Sequence, residues 1–233
     1  MDPTRLVPRV SFIVPVFNEE RTIEMVIART AALPVTKEII VVDDCSDDGT
    51  QEALRRAGDS IVNVRLPVNS GRGSAIRAGI GLARGEVVAL IDADLEVAPE
   101  LSLSLVETVA AGQADFVVGS RFLSGAAHDM TFAQRQGNRV LTGLANLLLG
   151  SQLTDIESGT VAIRRDLLQE LPLRSRRWDL SIEMAVRLAR RRARIVELPI
   201  AYAPRSRVAG KKLAWSDFFG ALYFILKYRI LPA

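Results

Sequence analysis

Through its first 120 residues the chain alternates short apolar runs with amphipathic stretches, and this rhythm restricts the fold more than any other feature. The apolar runs, rich in Val and Ile, are expected as strands at 10–16, 38–42, 61–66, 86–91 and 115–119. Between them, residues 19–32, 50–57, 72–83 and 99–111 read as helices, with Pro99 suited to a first turn and Gly112 to a helix end. Strands alternating with helices of this length predict right-handed crossovers and a parallel sheet. The second half is more mixed. A polar loop at 124–133 leads to a helix at 135–149, an extended piece at 160–163 and helices at 166–171 and 180–192. A strand at 194–198 and a last helix from 214 to about 228 complete the pattern. No Pro/Gly/Ser-rich linker divides it, so one continuous domain over 1–233 is expected.

Composition removes several classes. Cys45 is the only cysteine, which excludes an internal disulfide framework and a thiolate zinc cluster and suits a reducing compartment. The net charge of +3 conceals an asymmetry: residues 1–120 hold 11 basic and 18 acidic side chains, and residues 121–233 hold 19 and 9. One half can host a cation while the other attracts phosphate or an anionic surface. Aromatic residues are scarce in the basic half before Trp215 and no nucleic-acid-binding motif occurs, so nucleic acid is not an expected partner. No signal peptide is visible, because the apolar run at 10–16 is short and broken by Pro15.

Asp92-Ala93-Asp94 carries the clearest chemical signal. It follows the buried-strand run 87–91, and in an extended chain its two carboxylates point the same way. Open α/β sheets bind ligands just past that end of a strand. With no Lys or Arg beside them in sequence, the carboxylates are expected to repel unless a divalent cation sits between them. Mg²⁺ or Mn²⁺ fits, since hard cations take one or two carboxylates together with substrate phosphates.

Other strand ends add to this. Pro15, Phe17 and Glu19 follow the first strand, and Asp43 and Asp44 follow the second. Asp44 can accept from a nucleobase N–H and Glu19 from ribose hydroxyls, while Asn18 and Asp48 are good helix-capping types. The loop 69–75 opens a helix with Gly71-Arg72-Gly73, so its amides and Arg72 are expected to cradle phosphate. It lacks the third glycine of a dinucleotide fingerprint, because position 76 is Ile, and it follows the third strand instead of the first. Arg121 ends the fifth strand, and Arg135 and Arg139 lie one turn apart on the next helix; three guanidiniums at one mouth suit a phosphate ligand. Arg205, Arg207, Lys211 and Lys212 have the composition of a loop able to fold over a diphosphate. Asp155 either faces the site or caps a turn, and His128, alone in a polar loop, is incidental. The apolar helix at 214–228 is interrupted by Asp217 and Lys227 and is too short to span a bilayer. Core packing, interfacial membrane binding and docking on a membrane partner all remain open for it.

These motifs resemble the GT-A fold glycosyltransferases of family 2, in the branch of the dolichyl- or polyprenyl-phosphate sugar synthases. The resemblance rests on stretches 15–19, 42–46, 69–73, 92–96, 119–121, 137–139, 153–155 and 204–213, in order along nearly the whole chain. It implies an α/β, Rossmann-like, mostly parallel sheet flanked by helices, with a C-terminal amphipathic helix. It implies an inverting, metal-dependent transfer of a hexose from a nucleotide-diphosphate sugar, of UDP type, to a polyprenyl phosphate. Residues 1–120 would form the donor half and 121–233 the acceptor half. Pro15, Phe17, Glu19, Asp43, Asp44, Arg72, Asp92, Arg205 and Lys212 would then bind the donor, and Arg121, Arg135 and Arg139 the acceptor phosphate. Asp92, Asp94 and Glu96 would hold Mg²⁺ or Mn²⁺, and Asp92, Asp94 and Asp155 would act in catalysis. A cytoplasmic place at the inner face of a membrane, against lipid or a small membrane protein, follows from the same resemblance. Glu96 departs from it, standing where many mannose synthases carry Gln, which argues against GDP-mannose. The stretches 157–160 and 178–180 are less aromatic than usual. Two rivals are a nucleotidyltransferase, which would open with a glycine-rich, Arg-containing loop instead of 15–18, and a non-catalytic sugar-nucleotide-binding subunit.

Overall fold

Every residue of β1 (Val10–Val16) is buried, as in a central strand covered on both faces. Phe12 and Val14 enter the apolar layer on one face and Ile13 that on the other, following the two-residue period of extended chain. β1 lies in parallel register between β2 (Lys37–Asp43) and β4 (Val87–Leu90). β3 (Val62–Arg65) forms a largely exposed edge beside β2. With β5 (Phe116–Ser120), β6 (Val161–Arg164) and β7 (Ile195–Pro199), the sheet order is β3-β2-β1-β4-β6-β5-β7. The computed structural model describes residues 8–125, 130–149 and 151–204, together with Tyr223 and Lys227. The helix expected at 214–228, Arg205, Arg207, Lys211, Lys212 and His128 lie outside the described residues as a set, apart from those two positions.

Helices cover both faces. α1 (Ile23–Ala31), α2 (Thr50–Ala57) and α4 (Ser102–Ala110) press Ile23, Val26, Leu54, Leu105 and Val109 into one layer. α3 (Arg72–Leu82), α5 (Phe132–Leu149), α6 (Arg165–Gln169) and α7 (Asp179–Arg190) contribute Ile76, Ile80, Leu141, Leu168 and Leu188 to the other.

Two details differ from the pattern read along the chain. The first helix begins at Ile23, not residue 19. Asn18 adopts a left-handed φ of 55°, its N–H bonds Ser46 Oγ at 2.9 Å, and the Glu19 N–H bonds Thr50 Oγ1 at 2.8 Å. Those contacts pin 18–19 to the loop after β2 and delay the helix. The second difference is β6, which runs antiparallel to both β4 and β5. The chain leaves β5 at the carboxyl edge of the sheet and returns into β6 from that same edge, with Val161 beside Leu90. Arg121 and residues 157–160 are thereby brought to the ends of the parallel strands, where an α/β sheet holds its ligand.

Candidate active site

The carboxyl ends of β1, β2 and β4 surround a cavity of about 250 Å³, lined among others by Pro15, Phe17, Glu19, Asp44, Arg72, Asp92 and Asp94. A smaller one, about 50 Å³, lies beside it against Asp92, Asp94, Glu96, Arg121, Glu157 and Tyr202. Asp92, Asp94 and Trp178 border both. Six of the residues expected to meet a sugar nucleotide are thus brought to one wall.

Asp92 is not unpaired. Arg72 reaches across from the start of α3 and places Nε and Nη2 at 2.9 and 2.6 Å from its Oδ1. The contact is nearly buried on the arginine side, and the guanidinium also sits 4.9 Å from the Trp178 ring centroid. Among the described residues, Nη1 of Arg72 is buried with no hydrogen-bond partner. Gly159 closes the arrangement from the far side, where a Cβ would overlap Asp92 Oδ2 and crowd Arg72. Past Asp92 the chain turns: Leu95 takes a φ of 59°, and the Glu96 N–H bonds Asp94 Oδ1 at 3.1 Å. Tyr202 donates its hydroxyl to Glu96 Oε2 at 3.0 Å, and burial followed by the Glu96 charge pushes its phenol up in pKa.

The phosphate cradle expected of the loop 69–75 is corrected. Two of its amides meet a carboxylate of the protein itself: Ser70 and Gly71 donate to the two oxygens of Asp44 at 2.7 Å each. Ser74 donates to the Arg176 carbonyl at 3.1 Å. Asp44 thus places an anion at the opening turn of α3, as helix polarity favours. The glycines serve close packing, since a Cβ on Gly71 or Gly73 would strike the backbone of Arg176. Glu183, fully buried and paired with Arg187 at 2.9 Å, accepts from the amides of Arg174 and Ser175 and so fixes that overlying segment and Trp178. Burial opposes ionisation of Glu183, but these backbone donors and Arg187 outweigh it and hold its pKa below the usual range.

Two further expectations are corrected. Asp43 is fully buried beneath the cavity floor, where it binds Ser46 and Gln51 and pairs with Arg65, so it cannot reach a donor. Asp155 is also fully buried and does not face the cavity. It grips Arg121, with Nε and Nη2 at 2.7 and 2.8 Å, and accepts from Asn138 Nδ2 at 2.7 Å. Asp155 is therefore a positioning group for Arg121. Burial works against the Arg121 charge, yet the Asp155 pair more than offsets it and its pKa is raised. Glu197 on β7 anchors the same loop by accepting from both amides of Thr154 and Asp155, at 2.7 and 3.0 Å. Burial raises the Glu197 pKa despite these donors.

Of the three expected acceptor arginines, Arg121 lines one of these two cavities and Arg135 and Arg139 line neither. Arg139 is exposed and rests 5.9 Å from the Phe122 ring centroid, and Arg135 is half-buried one turn earlier. Sequence reasoning missed Trp178 and Tyr202 as cavity residues. Tyr202 also stacks at 5.5 Å on Arg121. A Trp preceded by Arg174, Arg176 and Arg177 was the available signal for the first, because an aromatic ring among cations is a recognised pairing.

Among the described residues no cluster of three or more His, Cys, Asp or Glu side chains is arranged to enclose an ion by itself. Asp94 and Glu96 nevertheless put hard oxygen donors on the smaller cavity, with Asp92 beside them. Two carboxylates completed by phosphate oxygens are what Mg²⁺ and Mn²⁺ accept, so the residues fit the ion as part of a ternary site.

A mostly parallel sheet with helices on both faces and an acidic cavity at its strand ends is the GT-A class of α/β fold. Glucosyl-3-phosphoglycerate synthase from Mycobacterium tuberculosis, solved with Mn²⁺, uridine diphosphate and glucosyl-3-phosphoglycerate, has this GT-A fold: it superposes with a TM-score of 0.70 over 97% of this chain and 81% of that one, at 24% identity. The model of glycosyl transferase family 2 matches residues 11–172, and the chain belongs to that family. It is 33% identical over 207 residues to an undecaprenyl-phosphate mannosyltransferase of Micrococcus luteus, covering 84% of each. It is 31% identical over 207 residues to the glycosyltransferase AglD of Haloferax volcanii, spanning 84% of this chain and a 33% share of that longer protein. Family membership makes it a glycosyltransferase and sets aside the nucleotidyltransferase and the non-catalytic subunit.

Proposed function

We propose that this chain transfers a hexose, with inversion, from a uridine-diphosphate sugar to a polyprenyl phosphate at a membrane surface. One observation carries the reading: a larger and a smaller cavity meet at Asp92, Asp94 and Trp178, so two anionic substrates can approach one acidic edge from opposite sides. The names of the relatives and the uridine diphosphate in the structural neighbour support the choice of substrates.

In this reading residues 1–120 hold the donor. Pro15, Phe17, Glu19 and Asp44 line the nucleotide cavity, and Arg72 offers its unpartnered Nη1 to a donor oxygen while holding Asp92 in place. Residues 121–204 and the chain beyond hold the acceptor, with Arg121 at the rim and Arg135 and Arg139 further out. Asp94 and Glu96, with Asp92, would hold Mg²⁺ or Mn²⁺, which when bound neutralises the diphosphate that leaves. No general base is required, because a phosphate monoester has a second pKa near ~6 and its oxygen is already ionised at neutral pH. That oxygen forms the new bond to the anomeric carbon as the bond to the diphosphate breaks, and a single displacement inverts the centre. Arg121, held rigid by Asp155, supplies fixed positive charge where two anions must come together.

A donor screen with polyprenyl phosphate, scored as labelled sugar in the organic phase with and without EDTA, tests this. Metal-dependent lipid-phase product from a uridine-diphosphate hexose is expected. Sugar appearing only on water-soluble acceptors would overturn the acceptor assignment.

A further inference from the structure

The outward face of α5 carries large apolar side chains into solvent. Phe132 is 70% exposed, Val140 56% and Leu147 81%. At 100° per residue the three fall in one sector of roughly 80°. They are not needed for the core, since Asn138, Leu141, Thr142 and Ala145 on the opposite face already bury the helix. Arg135 and Arg139 flank the apolar sector along one side, and the helix contains no Asp or Glu. Arg139 packs over Phe122, whose chain neighbours are Arg121 at the cavity rim and Leu123, 49% exposed. Apolar area, flanking cations and the mouth of the site are therefore continuous.

We propose that this face of α5 lies in the plane of an anionic lipid bilayer, its apolar side chains at the acyl boundary and its arginines against lipid phosphates. The inference rests on the polyprenyl-phosphate reading, because such an acceptor is delivered from a bilayer. Charge complementarity selects lipid as the occupant: residues 121–233 hold 19 basic against 9 acidic side chains. Among the described residues no helix is long and apolar enough to cross a membrane, so contact through these residues is in-plane. The contact also orients the protein, turning Arg121 towards the headgroup layer where an acceptor phosphate sits.

Flotation of the whole chain with phosphatidylcholine vesicles, with and without phosphatidylglycerol, tests the assignment. The expected result is binding that needs phosphatidylglycerol and is reversed by salt. The triple variant Phe132→Gln, Val140→Gln, Leu147→Gln should lose about tenfold or more of the bound fraction. Its transfer to a short-chain, water-soluble polyprenyl phosphate should stay at the wild-type rate. Met25→Gln, changing an equally exposed apolar residue on α1, should bind as wild type. If the triple variant melts early, Leu147→Gln alone carries the test, with about a threefold loss expected. Wild-type flotation by the triple variant and by Leu147→Gln, or no flotation by the wild type, overturns the proposal. So does a triple variant that only converts a dimer to a monomer in size exclusion, because a second copy then covers the face. A wild type that floats but never transfers sugar to polyprenyl phosphate upholds the surface and sinks the acceptor reading alone.

Discussion

Arg72 spends two nitrogens on Asp92 and keeps a third buried and unpartnered. An unsatisfied buried donor costs about 1–3 kcal/mol, a cost worth carrying only where an oxygen arrives to meet it. Asp94 stands on both cavities and accepts from the Glu96 N–H at 3.1 Å. Asp94→Asn should lower kcat on the order of 100-fold or more, with a melting curve recorded beside it to separate loss of chemistry from loss of fold. Wild-type turnover of that variant in a metal-dependent assay would remove Asp94 from the mechanism. Asp155 behaves differently, being fully buried against Arg121. Asp155→Asn strips a buried cation of its counter-ion and should cost about 3–5 kcal/mol in denaturant unfolding. A stability within experimental error of wild type would show that Arg121 finds another partner. Neither the Arg72–Asp92 pair nor the burial of Asp155 could be read along the chain. The partners are 20 and 34 residues apart, and local pattern says nothing of which charges meet.

Elements were more legible than contacts. β1, β2, β4 and β5 appear where the apolar runs stand, because a strand buried on both faces must be apolar along its length, and β3 appears as a short exposed edge within 61–66. The direction of β6 was not legible, since a short run such as Val161–Arg164 packs equally well either way round. The start of α1 was missed for a related reason, as its would-be first turn is held by Ser46 and Thr50 from another loop. Asp115 shows what joins the reordered strands. It accepts from Arg194 at the head of β7 and from Arg164 at the end of β6, and the Arg194 hydrogen bonds chiefly depress its pKa to about 2 from 3.8. A depressed carboxylate stabilises the fold above its ordinary pKa and loses that contribution as pH falls through the folded value. Acid unfolding should therefore steepen between pH 3.8 and about 2. Asp115→Asn should flatten that stretch of the stability-against-pH curve, and an unchanged slope would assign the acid sensitivity to other carboxylates.

For the whole molecule, the charge division counted along the chain is blurred at the site, where Arg72 from the first half and Glu157 from the second stand beside Asp92, Asp94 and Arg121. The two cavities were foreseeable as a location but not as a shape, because Trp178 and Tyr202 arrive from residues far along the chain. Uridine diphosphate with Mn²⁺, at about 100 times its dissociation constant, should add about 2.7 kcal/mol and raise the melting temperature by about 5–10 °C. EDTA should abolish most of that shift, and an undiminished shift would mean the nucleotide binds without the ion. The reversal at β6 has a further outcome for heredity. Because the described residues between β5 and β6 bring Arg121, Glu157 and Gly159 to the strand ends and bond Glu197 and Arg72, that stretch can be rewritten as a unit once those two partners are kept. Grafting it between relatives should carry recipient preference with it, leaving the sugar-handling floor as each parent had it.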